Sequence, residues 1–228
     1  MDSNSSEISI FVKSYWNYFL ELENEFKQTQ KYVSFDKYNE KTYSIEYLKL
    51  IQAACSEIDV VAKEIANHFD PSFAKISKPT IKHWGYVIKN HMPQLCNFRL
   101  CFNNEENMKF TPWNKFGYVQ YYDIKNHLKY KLDDGCETPK WWQDYNKMKH
   151  NRTARNDEGN TNFTNASLKN MILSFGALYS LEVMYMRELS SEFGPDCEIP
   201  ESKLFSSPII PWLMELRRTR QWREPAWN

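Results

Sequence analysis

A chain of 228 residues that is 42% apolar, 25% charged and 16% aromatic can bury one core with at most an appendage, and is too rich in rings to be a disordered chain. Its 29 basic residues are matched by 29 acidic ones, which excludes a protein that coats nucleic acid with its whole surface and leaves a local patch for any polyanion. The six glycines, at 85, 117, 135, 159, 176 and 194, never form G-x-G, and G-x-S-x-G, H-E-x-x-H and C-x-x-C do not occur, so the dinucleotide, P-loop, nucleophile-elbow and common zinc motifs are excluded.

Met1 to Ser6 is polar and no apolar run approaches about 18 residues, so neither a leader nor a membrane span is expected. The expected location is cytoplasmic, with Cys55, Cys96, Cys101, Cys136 and Cys197 reduced. Residues 7–31 read as a helix, with Phe11, Tyr15, Tyr18 or Phe19, Leu22 and Phe26 at helical spacing. A polar connection over 32–42 leads to Ser44, a cap for a second helix running to about His68, whose apolar face starts at Ile45 and which Asp70-Pro71 ends. Pro79 suits the first turn of a third helix over 79–91. Leu95 to Phe102 alternates and Met108-Lys109-Phe110 resumes the alternation, which predicts a small β-hairpin. Residues 116–132 read as strand or irregular, and Asp133-Asp134-Gly135 as a turn. Thr138 is placed to cap a helix that has Pro139 at its first position and runs to about 152. After a polar loop, a long helix over roughly 164–190 carries Leu168, Ile172, Phe175, Tyr179, Val183 and Met186 as its stripe, and Gly194-Pro195 ends the compact part.

The expected architecture is mainly α: a helical bundle over 1–190 with an inserted hairpin or irregular region at 94–136, and a C-terminal extension over 191–228. The extension ends in Arg217-Arg218-Thr219-Arg220-Gln221-Trp222-Arg223. It either docks on a protein partner or RNA, or straps across its own core through Trp212, Trp222 and Trp227.

The window that can carry chemistry is 140–155, with five Lys/Arg against Asp144 alone, a net of +4 before His150 is counted. On a helix, Trp141, Tyr145 and Met148 share one side, which turns Tyr145 inward; Asn146 and His150, four apart, share another and can address one small volume, with Lys147, Lys149 and Arg152 around it. Such a set fits phosphodiester cleavage in RNA without a metal or other cofactor. An imidazole moves the 2′-hydroxyl or leaving-group proton, an amide orients the phosphate, and cations offset charge in the transition state. The plainer reading is that His150 ends a helix whose dipole favours a cation there. Glu57 and Asp59, beside the core stripe of the second helix, either orient His150 or Arg152 or serve boundary salt bridges such as Asp59 with Lys63. Trp113, Tyr118 and Tyr122 offer a third reading, a small-molecule site, against their reading as core.

Asn146, Lys147-Met148-Lys149 and His150, at a helix end before the long final helix, resemble the signature of the HEPN superfamily: Arg, a polar residue that is often Asn, three variable residues, then His. Tyr145 stands at the Arg position, and Arg152 is the nearby arginine. Tyr-Asn-Lys-x-Lys-His-x-Arg followed by Asn-Ala-Ser-Leu, with Ser56-Glu57-Ile58-Asp59 on an earlier helix, also looks like a group of bacterial HEPN-like proteins. The resemblance covers about 43–69 and 139–190. It implies an antiparallel helical bundle and a homodimer with a composite site. It also implies binding of RNA or a nucleotide, and metal-independent endoribonuclease activity in stress or phage defence. In that reading His150 is general acid and base, Asn146 positions the phosphate, and Arg152 acts with them. Lys147, Lys149, Tyr145 and Arg155 hold substrate, and Glu57 and Asp59 support the site. The alternative within the same family is an inactive interaction or antitoxin-like module.

Overall fold

In the computed structural model, which describes residues 8–103, 108–193 and 201–207, the chain opens with a continuous helical segment over 8–28. It contains a π-helical stretch, Val12–Trp16, followed by α1 (Asn17–Gln28). The wider π turn spaces inward side chains by five rather than four. Phe11 and Trp16 are therefore both buried, followed by Phe19, Leu22 and Phe26. Trp16 thus takes the core position expected of Tyr15, which is half-buried, and Tyr18 stays exposed.

Ser44 is extended and its hydroxyl accepts the Tyr47 amide at 3.0 Å, which starts α2 (Ile45–Phe69) where the sequence places it. Asp70, extended before Pro71, ends it and caps the short 3₁₀ turn Pro71–Lys75. The next helix, α3 (Ile81–His91), starts later than expected. Its cap is Thr80, in a reciprocal box with His83, and Pro79 lies outside the helix.

The 94–136 region differs most from expectation. Pro93–Asn97 is a 3₁₀ turn rather than strand, and the hairpin shrinks to β1 (Leu100–Phe102) with β2 (Lys109–Phe110); residues 104–107 of its turn lie outside the described residues. A second antiparallel hairpin follows, β3 (Tyr118–Tyr122) with β4 (Leu128–Leu132). Next come α4 (Lys140–His150) and, after a 3₁₀ turn at Asn162–Asn165, α5 (Leu168–Phe193). The Thr138 hydroxyl does not cap α4: it bonds the Tyr118 phenol at 2.6 Å, and Pro139 is the capping residue, without a side-chain bond. Beyond α5, residues 201–207 rejoin the body. β5 (Phe205–Ser206) pairs with β1, and Leu204 and Phe205 are buried, so the core extends past Gly194-Pro195. The tail tryptophans and arginines, and Gly194-Pro195 themselves, lie outside the described residues.

The protein is mainly helical with small antiparallel sheets. α5 is its axis: every residue from 174 to 186 is buried, as expected of a helix surrounded on all sides. α1 runs antiparallel to it, with Trp16 meeting Tyr179 and Phe26 meeting Phe175. Backbone bonds between Ser44 and Ala166 and between Thr42 and Leu168 tie the starts of α2 and α5 together. Their far halves meet again at His68 and Tyr185, so these two helices run side by side in one direction. Trp84 of α3, Trp113 of the insertion, and Trp141 and Trp142 of α4 close a ring of edge-on contacts with centroids 5.3 to 6.3 Å apart. Each such pair adds about 0.5–1.5 kcal/mol to the area it buries. The 94–136 region is thereby part of the core, and Trp113 and Tyr118 are wall rather than ligand pocket; Tyr122 alone of that trio is exposed. Among the described residues no helix is long and apolar enough to cross a membrane.

Candidate functional site

α4 is amphipathic, and its buried side is fastened three ways. The Trp141 indole donates to the Pro112 carbonyl at 2.8 Å. Asp144, 4% exposed, pairs with Lys140 and accepts from the Asn170 amide at 3.3 Å. Tyr145 and Met148 complete the buried face, so the inward turn expected of Tyr145 is observed. Tyr145 is therefore a core residue whose ring faces α2. Burial raises its phenol pKa; the Lys149 ammonium, 5.4 Å from the ring centroid, opposes that rise, and the charge of Asp59 on α2 adds to it. Burial likewise pushes the Cys55 thiol well up, against the pull of Lys149. Lys149 thus spans the border between core and surface, its stem over an aromatic ring and its charge at the edge.

The outer side of α4 and the loop after it are polar. Lys147, Lys149 and His150 form the last turn, where cations complement the helix dipole. The Asn151 amide closes the helix on the Lys147 carbonyl at 2.9 Å. From there the loop is held by its own backbone. The Asn162 side chain donates to the Asn151 carbonyl at 2.8 Å, the Phe163 amide to the Arg152 carbonyl at 3.1 Å, and Arg155 bridges Thr161 across a turn in which Gly159 is left-handed (φ 81°). The Arg155 guanidinium donates to the Gly159 carbonyl. Lys147, Lys149, His150, Arg152 and Arg155 are all exposed, and none makes an ion pair with a described carboxylate. On a neutral chain, one helix end and the loop it feeds therefore present four unpaired cations and an imidazole.

The closer constellation expected of these residues does not assemble within one chain. Asn146 is half-buried, and its amide donates to the Trp142 carbonyl of its own helix at 2.9 Å. His150 is exposed, with no hydrogen bond to a described residue. Glu57 and Asp59 do not reach His150 or Arg152. Asp59 accepts the Trp84 indole at 3.0 Å and pairs with Lys63, and so steadies the tryptophan wall behind α4. Glu57, two residues earlier and thus about 200° around the helix, faces Tyr15 and Glu182 instead.

That second group escaped the sequence reading. Glu182 is fully buried in α5, and neither carboxyl oxygen has a hydrogen-bond partner among the described residues. Burial, with Glu57 adding to it, pushes its carboxyl far above the carboxylate range, and burial raises Glu57 as well. The signal was present: a carboxylate inside the apolar stripe between Tyr179, Val183 and Met186. Among the described residues no group of three or more His, Cys, Asp or Glu side chains could hold a metal ion. The chain matches no protein-family model, no curated protein and no solved structure.

Proposed function

We propose that the protein is HEPN-like and binds RNA or a nucleotide through the end of α4 and the 151–155 loop. The observation that carries this is the set of exposed cations Lys147, Lys149, Arg152 and Arg155, in no ion pair with a described carboxylate, around His150 on a chain whose charges sum to zero. Phosphate binding releases counterions, so such a patch gives salt-dependent affinity without a sequence code. In the sharp form of this reading, two copies face each other across a two-fold axis and cleave RNA without a metal. The imidazole of one copy takes the 2′-hydroxyl proton while that oxygen attacks phosphorus. The imidazolium of the other gives a proton to the departing 5′-oxygen, leaving a cyclic phosphate. The facing patches, about +4 each, are then held together by the anion between them. The second reading is an inactive interaction module. It is favoured by the amide of Asn146 being spent on its own helix and by Tyr145 being core.

Fluorescence anisotropy with a labelled single-stranded RNA in EDTA tests the binding. Wild type binds, and Lys147→Glu with Lys149→Glu weakens it and lowers the salt slope by about 0.7 for each phosphate that is no longer neutralised. Equal binding by that variant ends the proposal. Cleavage of the same RNA in EDTA by wild type and not by His150→Ala selects the endoribonuclease. Binding without cleavage selects the inactive module.

A further inference from the structure

The β3–β4 hairpin presents a second surface of different chemistry. Its register, with Tyr118 opposite Leu132 and Tyr122 opposite Leu128, sorts the side chains onto two faces. The inner face lies on α3: Tyr130 is 5.6 Å from Tyr86, and Tyr118 fills the room that Gly85 leaves, where a Cβ would come within 2.8 Å of its ring. The outer face carries Val119, which is half-buried, and Tyr121, Lys129 and Lys131, which are exposed. Tyr121 is 41% exposed, Lys129 sits directly opposite it, and the Lys131 ammonium lies 5.9 Å from its ring centroid.

Within the two strands the outer face carries Lys129 and Lys131 and no acid, while Asp123 acts on the first and Asp133 on the second from the ends of the hairpin. Asp123 accepts the Lys125 and His127 amides at 2.9 and 2.8 Å, which fixes the hairpin tip and uses up one carboxylate oxygen. Lys125, Lys129 and Lys131 make no ion pair with a described carboxylate. Lys129 and Lys131 on one face of β4 also discourage its pairing with a foreign strand. Three lysines fall short of the four to eight that read as an anionic-lipid site. What a ring flanked by two cations about 7 Å apart along a strand suits is a polyanion with flat faces between its charges.

We infer that the outer face of the hairpin is a stacking platform for single-stranded nucleic acid, with one base on Tyr121 and the adjoining phosphates on Lys129 and Lys131. Lys131 already lies over the ring, so it moves from ring to phosphate as the base arrives. Stacking is indifferent to base identity, so the platform is sequence-tolerant and excludes duplexes, whose faces are already stacked. The inference goes beyond the α4 reading and stands without it. The hairpin base joins the start of α4 through Tyr118 and Thr138, whereas His150 lies at the far end of that helix, about 16 Å along its axis.

The test uses the full chain and a labelled oligoadenylate single strand, read by anisotropy in EDTA. Tyr121→Ala is expected to weaken binding about 5- to 150-fold, the range for one stacked base, while Tyr121→Phe stays within about twofold of wild type. Lys129→Glu with Lys131→Glu lowers the salt slope by about 1.4, or about 0.7 for each phosphate of a single strand that is no longer neutralised. All three positions are exposed, and an unchanged melting temperature shows that fold is not the cause. Binding unaffected by Tyr121→Ala and by the lysine pair overturns the inference, as does an oligoadenylate–oligouridylate duplex bound as tightly as the single strand. If phosphatidylserine vesicles, and not the oligonucleotide, respond to these variants, the surface is a lipid site and the inference fails. Loss on Lys147→Glu with Lys149→Glu while the hairpin variants bind normally overturns the hairpin and leaves the α4 reading. The converse does the opposite, and no binding by wild type ends both.

Discussion

α4 and α5 share the tryptophan wall, yet each holds a buried carboxylate in a different way. On α4, Asp144 meets the Lys140 ammonium and the Asn170 amide. On α5, Glu182 meets neither a cation nor a hydrogen-bond donor among the described residues, only Tyr15 and the like-charged Glu57 within electrostatic reach. α4 is half-exposed, so a lysine one turn away can lie along the surface and drop its charge inward. α5 is enclosed over 174–186, and no such approach exists. A third case supports the contrast. Glu23 of α1 is 1% exposed, and its carboxylate is satisfied by the Lys203 amide at 2.9 Å, the Leu204 amide at 3.1 Å and the Ser202 hydroxyl. A buried acid is ordinarily provided for in this fold, and Glu182 is the exception among these three.

The largest expected effect breaks the comparison by removing what both helices rest on. The Trp113 indole donates to the Ala177 carbonyl and the Ser180 hydroxyl of α5, both at 3.1 Å, and its ring meets Trp141 of α4 at 5.3 Å. Trp113→Ala opens a cavity between them and should cost about 3–5 kcal/mol in denaturant unfolding. A cost under about 1 kcal/mol would show that α4 and α5 hold together without the insertion.

A smaller change sharpens the contrast. Asp144→Ala removes the acceptor from Lys140 and from one Asn170 hydrogen atom. Lys140 is mostly exposed and returns to water, and Asn170 keeps its 2.9 Å bond to the Asn165 carbonyl. The expected cost is therefore about 1–3 kcal/mol, the range for a buried hydrogen-bonded group, and not the larger penalty of a stranded buried charge. Chemical denaturation at neutral pH reads it, and a stabilised Asp144→Ala would mean that this carboxylate is no better provided for than Glu182.

How far the fold could be read in advance depended on whether a local rule had one outcome. α2 was legible because a capping serine, a long apolar face and Asp70-Pro71 agree. β3 was not, because tyrosines lie on both of its faces and burial does not follow the faces: Tyr118 is buried, while Tyr121 and Tyr122, on opposite faces, are both exposed, so its period of two is masked. Pro93 began a 3₁₀ turn where Leu95 to Phe98 alternated like a strand, since alternation over four residues does not discriminate. At the candidate site, spacing placed Asn146 and His150 on one side of α4 correctly. Spacing does not say where a short amide will spend its hydrogen bond, and Asn146 spends it on the Trp142 carbonyl. The role of Asp59 was set by Trp84, 25 residues away in sequence, and distance of that kind leaves no local trace.

The effect with the clearest sign is that of the buried acid on α5. Burial lifts Glu182 far above its ordinary value of 4.5, with Glu57 adding to the rise; Glu57 and Tyr15, which face it from α2 and from the 8–28 segment, are raised as well. The folded state therefore keeps a proton that the unfolded chain releases above about pH 4.5. The stability linked to that proton is whole below this pH and is lost progressively as pH rises toward the raised folded value. Glu182→Gln removes the titration and should flatten the fall in stability between about pH 5 and pH 8, leaving a shallower slope from the half-buried Glu57. Glu182→Met, apolar and of similar length, should stabilise the protein by on the order of 1 kcal/mol at the upper end of that window, where the wild-type acid is under most strain. Urea unfolding of the three proteins across the window decides it. Parallel stability curves for wild type and Glu182→Gln would mean that Glu182 is charged and partnered in solution, which would place α5 beside α4 and not in contrast to it.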